Sequence, residues 1–148
     1  MLRQFVRTLI SQLSLMRGDS DGLARRRFEL HQDQLQKEFL TIAASAGIPR
    51  GLRWVACDWP SETDVPCFVR EATSGLLTLL VPVNVRFEAI EDGDMEGVEA
   101  VGSVRGGTAV FHYQNGRWGS GGRVIFNLAP ADVVARMADT FATIDQPG

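Results

Sequence analysis

The chain has 148 residues, a net charge of −3, and 45% apolar and 22% charged residues, a composition typical of one globular domain that buries about two-thirds of its unfolded surface. No apolar run reaches the roughly 20 residues needed to cross a bilayer, and the acidic balance argues against nucleic-acid binding. Two cysteines are too few for a disulfide-rich secreted scaffold, so the sequence favours a cytoplasmic protein.

Residues 1–17 contain three arginines and no acidic residue, and their apolar residues recur at helical spacing. Three interpretations stay open: an amphipathic helix packed on its own domain or on a partner, a basic helix on a membrane surface, and an organellar presequence. A secretory signal peptide is disfavoured because polar residues interrupt the apolar region. We therefore expect a peripheral N-terminal helix at 1–17, able to make weak membrane-surface contact, and a single domain at 20–145.

A long helix is predicted after a break at residues 18–22, where two glycines flank Asp19, Ser20 and Asp21. The helix is expected to end near Ala46, because Gly47 suits a helix C-cap and a proline follows. Its apolar stripe steps by three and four residues and is expected to pack on the sheet: Ala24, Phe28, His31, Leu35, Phe39, Ile42 and Ala46.

Five strands are predicted next. Two are Leu52–Trp59 and Cys67–Ala72, and three more lie between Leu76 and Leu128, joined by two-residue turns at Asp92-Gly93 and Asn115-Gly116. The third strand is the clearest, since every odd position from Leu77 to Ala89 is apolar, as expected for a half-buried strand.

The Asp92-Gly93 turn predicts a register for the third and fourth strands. It would place Phe87 opposite Val98, Val85 opposite Ala100, Val83 opposite Gly102, Val81 opposite Val104, and Arg86 opposite Glu99 as a cross-strand charge pair. The apolar positions of the fourth strand then change from even to odd numbers. A bulge at Arg105-Gly106-Gly107 would insert one residue and keep both sets on the same face of the sheet. The second turn predicts Tyr113 opposite Trp118 and Phe111 opposite Ser120, with Val124, Phe126 and Leu128 continuing that face.

Pro130 and Asp132 predict the start of a C-terminal helix whose stripe is Val133, Val134, Met137 and Phe141. The predicted fold is therefore α+β: N-terminal helices, one of them long, a five-stranded antiparallel β-meander with a bulge, and a C-terminal helix, with a single layer of helices on a bent sheet. This order of elements resembles the cystatin-like and nuclear-transport-factor-like layouts. Leu76 and Leu80 make the second sheet face apolar, so it needs cover from the first helix, the last helix or another subunit.

The motifs that suggest chemistry are sparse. Cys57 and Cys67 could be neighbours on adjacent strands, as a disulfide, as part of a metal site with a histidine, or as small buried hydrophobes. His112 is expected to be an exposed cross-strand residue, and the glycine-rich run 116–122 a bulge or strand margin. We predict no metal and no cofactor. The residues with recognition chemistry are candidates for ligand binding: His31, Arg50, Arg53, Trp54, Tyr113 and Trp118.

These features favour a non-catalytic protein-interaction or adaptor domain, because no nucleophile and base stand at a diagnostic spacing. Its partner would be another protein or a second copy of the chain, paired through the second sheet face. The alternative is a ligand-binding or enzymatic pocket between the long helix and the concave sheet face, using His31 with Tyr113 or Trp118. Filling of that space by Phe28, Phe39 and Phe87 would argue against the alternative.

Overall fold

A computed structural model describes residues 2–46, 49–60, 65–91 and 104–144, and for residues 2–20 the description covers the backbone only. The predicted α+β class is confirmed, with an N-terminal helix, an antiparallel sheet of seven strands, and a short C-terminal helix. No helix within these ranges is long and apolar enough to cross a bilayer. The elements in chain order are α1 (Leu2–Ser45), β1 (Leu52–Asp58), β2 (Cys67–Glu71), β3 (Leu77–Ala89), β4 (Val104–Gln114), β5 (Arg117–Gly119), β6 (Val124–Phe126), α2 (Pro130–Arg136) and β7 (Phe141–Thr143).

The long helix α1 has no break at residues 18–22, so that prediction is wrong. A glycine inside a helix costs about 1 kcal/mol relative to alanine, and the apolar side chains that α1 buries further along offset this cost. The predicted end near Ala46 is confirmed. The assignment of residues 1–17 to a peripheral segment stays a prediction. Among residues 21–45 of α1, whose side chains are described, the buried ones are four members of the predicted stripe and one other residue: Ala24, Phe28, Leu35, Phe39 and Ala43.

Strand β3 is the centre of the sheet. One of its edges pairs with β4, and the other pairs with β2 over Leu77–Leu80 and with β1 over Asn84–Ala89. β1 and β2 therefore follow one another along the same edge, and β7 extends the sheet beyond β2. On the other side, β4 pairs with both β5 and β6. The predicted five-stranded meander needs correction, because its first two strands both pair with the third and its fifth strand is two short strands.

The predicted register between β3 and β4 is wrong by five residues. Val81 lies opposite Ala109 and Arg86 opposite Val104, so Arg86 does not face Glu99. This register brings the odd residues of β3 against the odd residues of β4, so both apolar sets share one face without a bulge at 105–107. The pairing is regular from Val104 to Tyr113. The sheet instead has a bulge in β1, between Trp54 and Ala56. The Asp92-Gly93 turn and the acidic residues that follow it, Asp94, Glu96 and Glu99, lie outside the described residues.

The second predicted hairpin is confirmed. Asn115 and Gly116 have φ angles of 54° and 76°, the positive values that a type I′ turn requires, and Tyr113 lies opposite Trp118. β5 ends at Gly119, however, so Ser120 has no ladder partner and its hydroxyl donates to the Val110 carbonyl oxygen. The glycine-rich run is therefore the margin where β5 gives way to the β5–β6 connection.

The alternation along β3 supplies two cores on opposite faces of the sheet. The core beneath α1 contains the odd residues of β3 from Leu79 to Phe87 together with Phe28, Phe39 and Phe111. The smaller core on the other face contains Leu80, Val110 and side chains of α2 and β7. The predicted single layer of helices is therefore wrong, because the two helices cover different faces.

The short helix α2 covers the second sheet face. Val133 of α2 and Phe141 of β7 are fully buried with Leu80, which removes the observation on which self-association through that face depended. α2 ends at Arg136, so Phe141 belongs to a strand and not to the predicted helical stripe.

Candidate functional site

A cleft of about 510 Å³ lies between α1 and the β4–β5 hairpin. This volume is within the range of pockets that bind small molecules or short peptide segments. The cleft is open to solvent and combines charged, polar and apolar side chains. Its lining residues are Arg27, His31, Gln34, Leu35, Glu38, Gly116, Arg117 and Trp118.

The helical wall of the cleft follows from the periodicity of α1. Residues three and four positions apart share one face of a helix, and Arg27, His31, Gln34 and Glu38 are separated by such steps. His31 is exposed, and Gln34 donates a hydrogen bond to the Glu38 carboxylate at 3.0 Å. The wall therefore presents one imidazole, one guanidinium and one carboxylate along about three helical turns.

The opposite wall is the Asn115-Gly116 turn and the strand that follows it. Gly116 has a positive φ angle and lies against Arg27. A Cβ atom added to Gly116 would be only 2.9 Å from Nη1 of Arg27, so this position favours glycine on both counts. The turn brings Arg117 to the rim, where it is exposed, and Trp118 to the floor, where it is half-buried.

Three hydrogen bonds fix the hairpin to α1. Arg27 Nη1 donates to the Tyr113 hydroxyl at 3.0 Å and to the Gly116 carbonyl oxygen at 2.7 Å. The indole Nε1 of Trp118 donates to the Ala24 carbonyl oxygen at 2.7 Å. The Trp118 ring also packs edge-to-face on Phe28, with 5.4 Å between centroids. The cleft is thus pre-organised by contacts that do not require a ligand.

The charge balance of the cleft favours an anionic ligand. Arg27 and Arg117 carry two positive charges, and Glu38 carries the one negative charge among the lining side chains. Arginine forms paired hydrogen bonds to carboxylates and phosphates, and an indole offers apolar surface beside such a group. The arrangement can hold a carboxylate or phosphate that has an apolar portion.

The structure divides the predicted ligand-binding residues into two places. His31 and Trp118 line the cleft, and Tyr113 is joined to it through Arg27. Arg50, Arg53 and Trp54 lie elsewhere, at the start of β1. Arg53 is exposed and pairs with Glu88 across the strands. Trp54 is a buried core residue whose ring lies 5.0 Å from that of Phe87.

Sequence reasoning missed the polar and charged residues that complete the cleft: Arg27, Gln34, Glu38 and Arg117. Two signals could have found them. Arg27 stands four residues before His31, and Gln34 and Glu38 stand three and seven residues after it, on the same helical face. Arg117 directly follows the Asn115-Gly116 turn.

The two cysteines cannot cooperate in a site. Cys57 lies opposite Val85 and packs on the α1 core, whereas Cys67 lies opposite Leu80 and packs on the α2 core. They therefore occupy opposite faces of the sheet, and both are free thiols. Burial and the neighbouring Asp58 carboxylate raise the pKa of Cys57 to about 11, and burial raises the pKa of Cys67.

His112 is half-buried, so its predicted exposure is wrong, although it lies on the expected sheet face. Its Nδ1 lies 2.9 Å from Thr78 Oγ1, and its Nε2 lies 3.6 Å from a Glu71 carboxylate oxygen. The Thr78 hydroxyl also lies 3.0 Å from the Leu76 carbonyl oxygen. This histidine is a cross-strand structural residue.

Within the described ranges, no three His, Cys, Asp or Glu side chains lie together in a way that could hold a metal ion. Comparison of the chain with protein-family models, with curated proteins and with solved structures finds no match.

Proposed function

We propose that this protein is a non-catalytic interaction module that holds an acidic segment of a partner protein in the cleft between α1 and the β4–β5 hairpin. The observation that carries the proposal is the convergence of Arg27, Arg117 and Trp118 on one cleft in which Glu38 is the single lining carboxylate. An extended segment with acidic side chains could place a carboxylate on the arginines and an apolar side chain on the indole.

A surface cleft is favoured over an internal pocket because the space between α1 and the sheet is filled. Phe28, Phe39 and Phe87 are at most 6% exposed and belong to one core. Close-packed cores of this kind leave no room for a ligand. Recognition is therefore expected at the edge of the helix–sheet interface, where the cleft lies.

The thiols support a binding role over nucleophilic catalysis. Cysteine is a strong nucleophile only as a thiolate, and the pKa values of Cys57 and Cys67 are both raised. At neutral pH both side chains are therefore neutral thiols. Neither residue lines the cleft.

The proposal can be tested with a fluorescein-labelled decapeptide that contains five glutamates, two leucines and three serines. We expect its anisotropy to rise on titration with the protein, and the affinity to fall at least tenfold in Arg117→Glu because the rim charge is reversed. Arg105→Glu, which reverses an exposed arginine on β4 away from the cleft, is the matched control and should bind nearly as the wild type does. Equal losses in both variants, or no binding, would contradict the proposal.

A second candidate function is the binding of a small aromatic carboxylate in the same cleft, which the volume and the half-buried Trp118 favour. Benzoate titrated into ¹⁵N-labelled protein should then shift the Trp118 indole N–H signal, and Arg117→Glu should reduce this shift. If benzoate binds and the acidic peptide does not, the second candidate replaces the first.

A further inference from the structure

The face of α1 that points away from the sheet carries exposed leucines. Leu23 is 46% exposed and Leu30 is 73% exposed. At 100° per residue they lie well over a third of a turn from the buried face that contains Phe28, Leu35 and Phe39. At these two positions the domain's own core therefore does not use this side of the helix.

These two leucines belong to a longer repeat. Apolar residues occupy every seventh position from the start of α1, and the helix is continuous through all of them: Leu2, Leu9, Met16, Leu23 and Leu30. The repeat ends there, because the next position is Lys37, which is exposed. Val6 and Leu13 stand four residues after the first two members and supply the second apolar set of a coiled-coil seam at its N-terminal end, whereas the equivalent positions further along are Ser20 and Arg27.

The seven-residue spacing of this line of apolar residues, from Leu2 to Leu30, indicates what kind of partner would pack against it. On a straight helix such a line drifts by about 20° per repeat, and a left-handed supercoil of two helices removes the drift. A line of this length spans 28 residues, or about 42 Å of helix. A partner helix with the same spacing would therefore stay in contact along the whole line.

We infer that α1 forms a two-stranded coiled coil with α1 of a second copy of this chain. The second copy supplies the same line of leucines, and a contact between identical surfaces closes on itself at two copies. The charged residues Arg26, Glu29 and Asp33 border Leu30, as expected for the polar positions that flank an apolar seam. This surface is distinct from the sheet face that α2 covers.

Acidic residues near the line argue against a membrane surface as the occupant. Residues 1–17 are basic, but the apolar repeat continues to Leu30, beside the exposed carboxylates of Glu29 and Asp33. An anionic lipid surface attracts basic residues and repels acidic ones. A second protein helix accommodates both charges at the edge of the seam.

The test is the mass of the full chain in solution, measured by light scattering on a sizing column between 1 and 100 μM at 150 mM salt. We expect twice the 16.3 kDa of one chain. Leu23→Glu/Leu30→Glu should return the mass to a single chain, or weaken association at least a hundredfold. These side chains are exposed, so the double variant should keep the wild-type circular dichroism spectrum. Val65→Glu introduces the same charge at a 77% exposed position outside α1 and should leave the mass doubled.

Three results would overturn the inference. A wild-type mass of one chain up to 100 μM would exclude the pairing. A doubled mass that survives in Leu23→Glu/Leu30→Glu would place self-association on another surface. A single-chain mass combined with flotation on vesicles of phosphatidylserine and phosphatidylcholine, lost in the same double variant, would assign the line to a membrane.

Discussion

The two faces of the sheet are built from the same alternating strand but are covered in different ways. The face under α1 holds an aromatic core in which Phe39 and Phe111 have ring centroids 5.3 Å apart. The other face is covered by the seven-residue helix α2, and its buried core, to which the edge strand β7 adds Phe141, is otherwise aliphatic. The larger core under α1 is therefore expected to supply most of the stability. The smaller core under α2 covers apolar side chains of the second sheet face that would otherwise be exposed.

The largest effect is expected at Phe39, which is fully buried and contacts both Phe111 and Trp59. Phe39→Ala should lower the free energy of unfolding by about 3–5 kcal/mol, because it removes the ring and leaves a cavity. Urea denaturation measures the loss. Lys37→Ala, at an exposed position of the same helix outside the leucine line, is the control and should change stability by no more than about 0.5 kcal/mol. A loss under about 1 kcal/mol in Phe39→Ala would contradict the claim that the core under α1 supplies most of the stability.

The corresponding change on the α2 face is Leu80→Ala, and about 3 kcal/mol is expected there. Leu80 is fully buried, but on the opposite side of the sheet from Phe39. Without shared contacts, the losses in Phe39→Ala and Leu80→Ala should add to within about 0.5 kcal/mol in the double variant. A coupling above about 1 kcal/mol would indicate that the two cores act as one.

Gly122 tests how closely the β5–β6 connection approaches α1. Its φ angle is +79°, and a Cβ there would lie 2.7 Å from the backbone of Ala43. Gly122→Ala should therefore destabilise the fold by about 2 kcal/mol, from the left-handed conformation and the close contact together. Gly121→Ala is the matched control, since nothing lies within 4 Å of a Cβ at Gly121. Thermal unfolding that ranks the two variants equally would contradict this account.

The smallest effect concerns the cysteines, one on each face. Since the pKa of Cys57 is raised to about 11, its thiol stays protonated to higher pH than in the unfolded chain. At pH 9 about 1% is ionised, so iodoacetamide should modify it about fifty-fold more slowly than an unfolded cysteine of ordinary pKa. Its rate should rise with pH up to about 11 in Cys67→Ser. The reciprocal variant Cys57→Ser reports on Cys67. A rate for Cys57 that levels off near pH 9 would contradict the burial of this thiol.

Local patterns in the sequence predicted the parts of the fold that depend on neighbouring residues. The strand at Leu77–Ala89 and the Asn115-Gly116 turn depend on period and turn chemistry, and both are confirmed, although burial alternates only from Asn84 onward because Leu77–Val83 is buried on both faces. The β3–β4 register was missed because the sequence favoured a two-residue turn at Asp92-Gly93. The observed pairing of Arg86 with Val104 places the connection over a longer segment. The pairing of both β1 and β2 with β3 depends on contacts between distant residues, which periodicity does not encode.

The candidate site was predicted only in part, because local patterns identify single residues but not the distant residues that the fold brings beside them. His31 and Trp118 stood out by their side-chain chemistry, and Tyr113 by its place opposite Trp118. Arg27 and Arg117 did not stand out among fourteen arginines, because their importance comes from the hairpin that brings residue 116 against residue 27. Trp54 was misleading, since a large aromatic ring next to two arginines suggests binding, although the structure uses it as core.

The hydrogen bond from Arg27 to Tyr113 joins residues 86 positions apart, which bears on how the protein is made. At 5–20 residues per second, the ribosome completes the helical partner roughly 4–17 s before the hairpin residue exists. For nearly all of that interval Phe28 and Phe39 lack Phe111, against which both rings pack. Chains with such distant contacts also fold slowly once released. The nascent helix is therefore the segment that a chaperone would meet first.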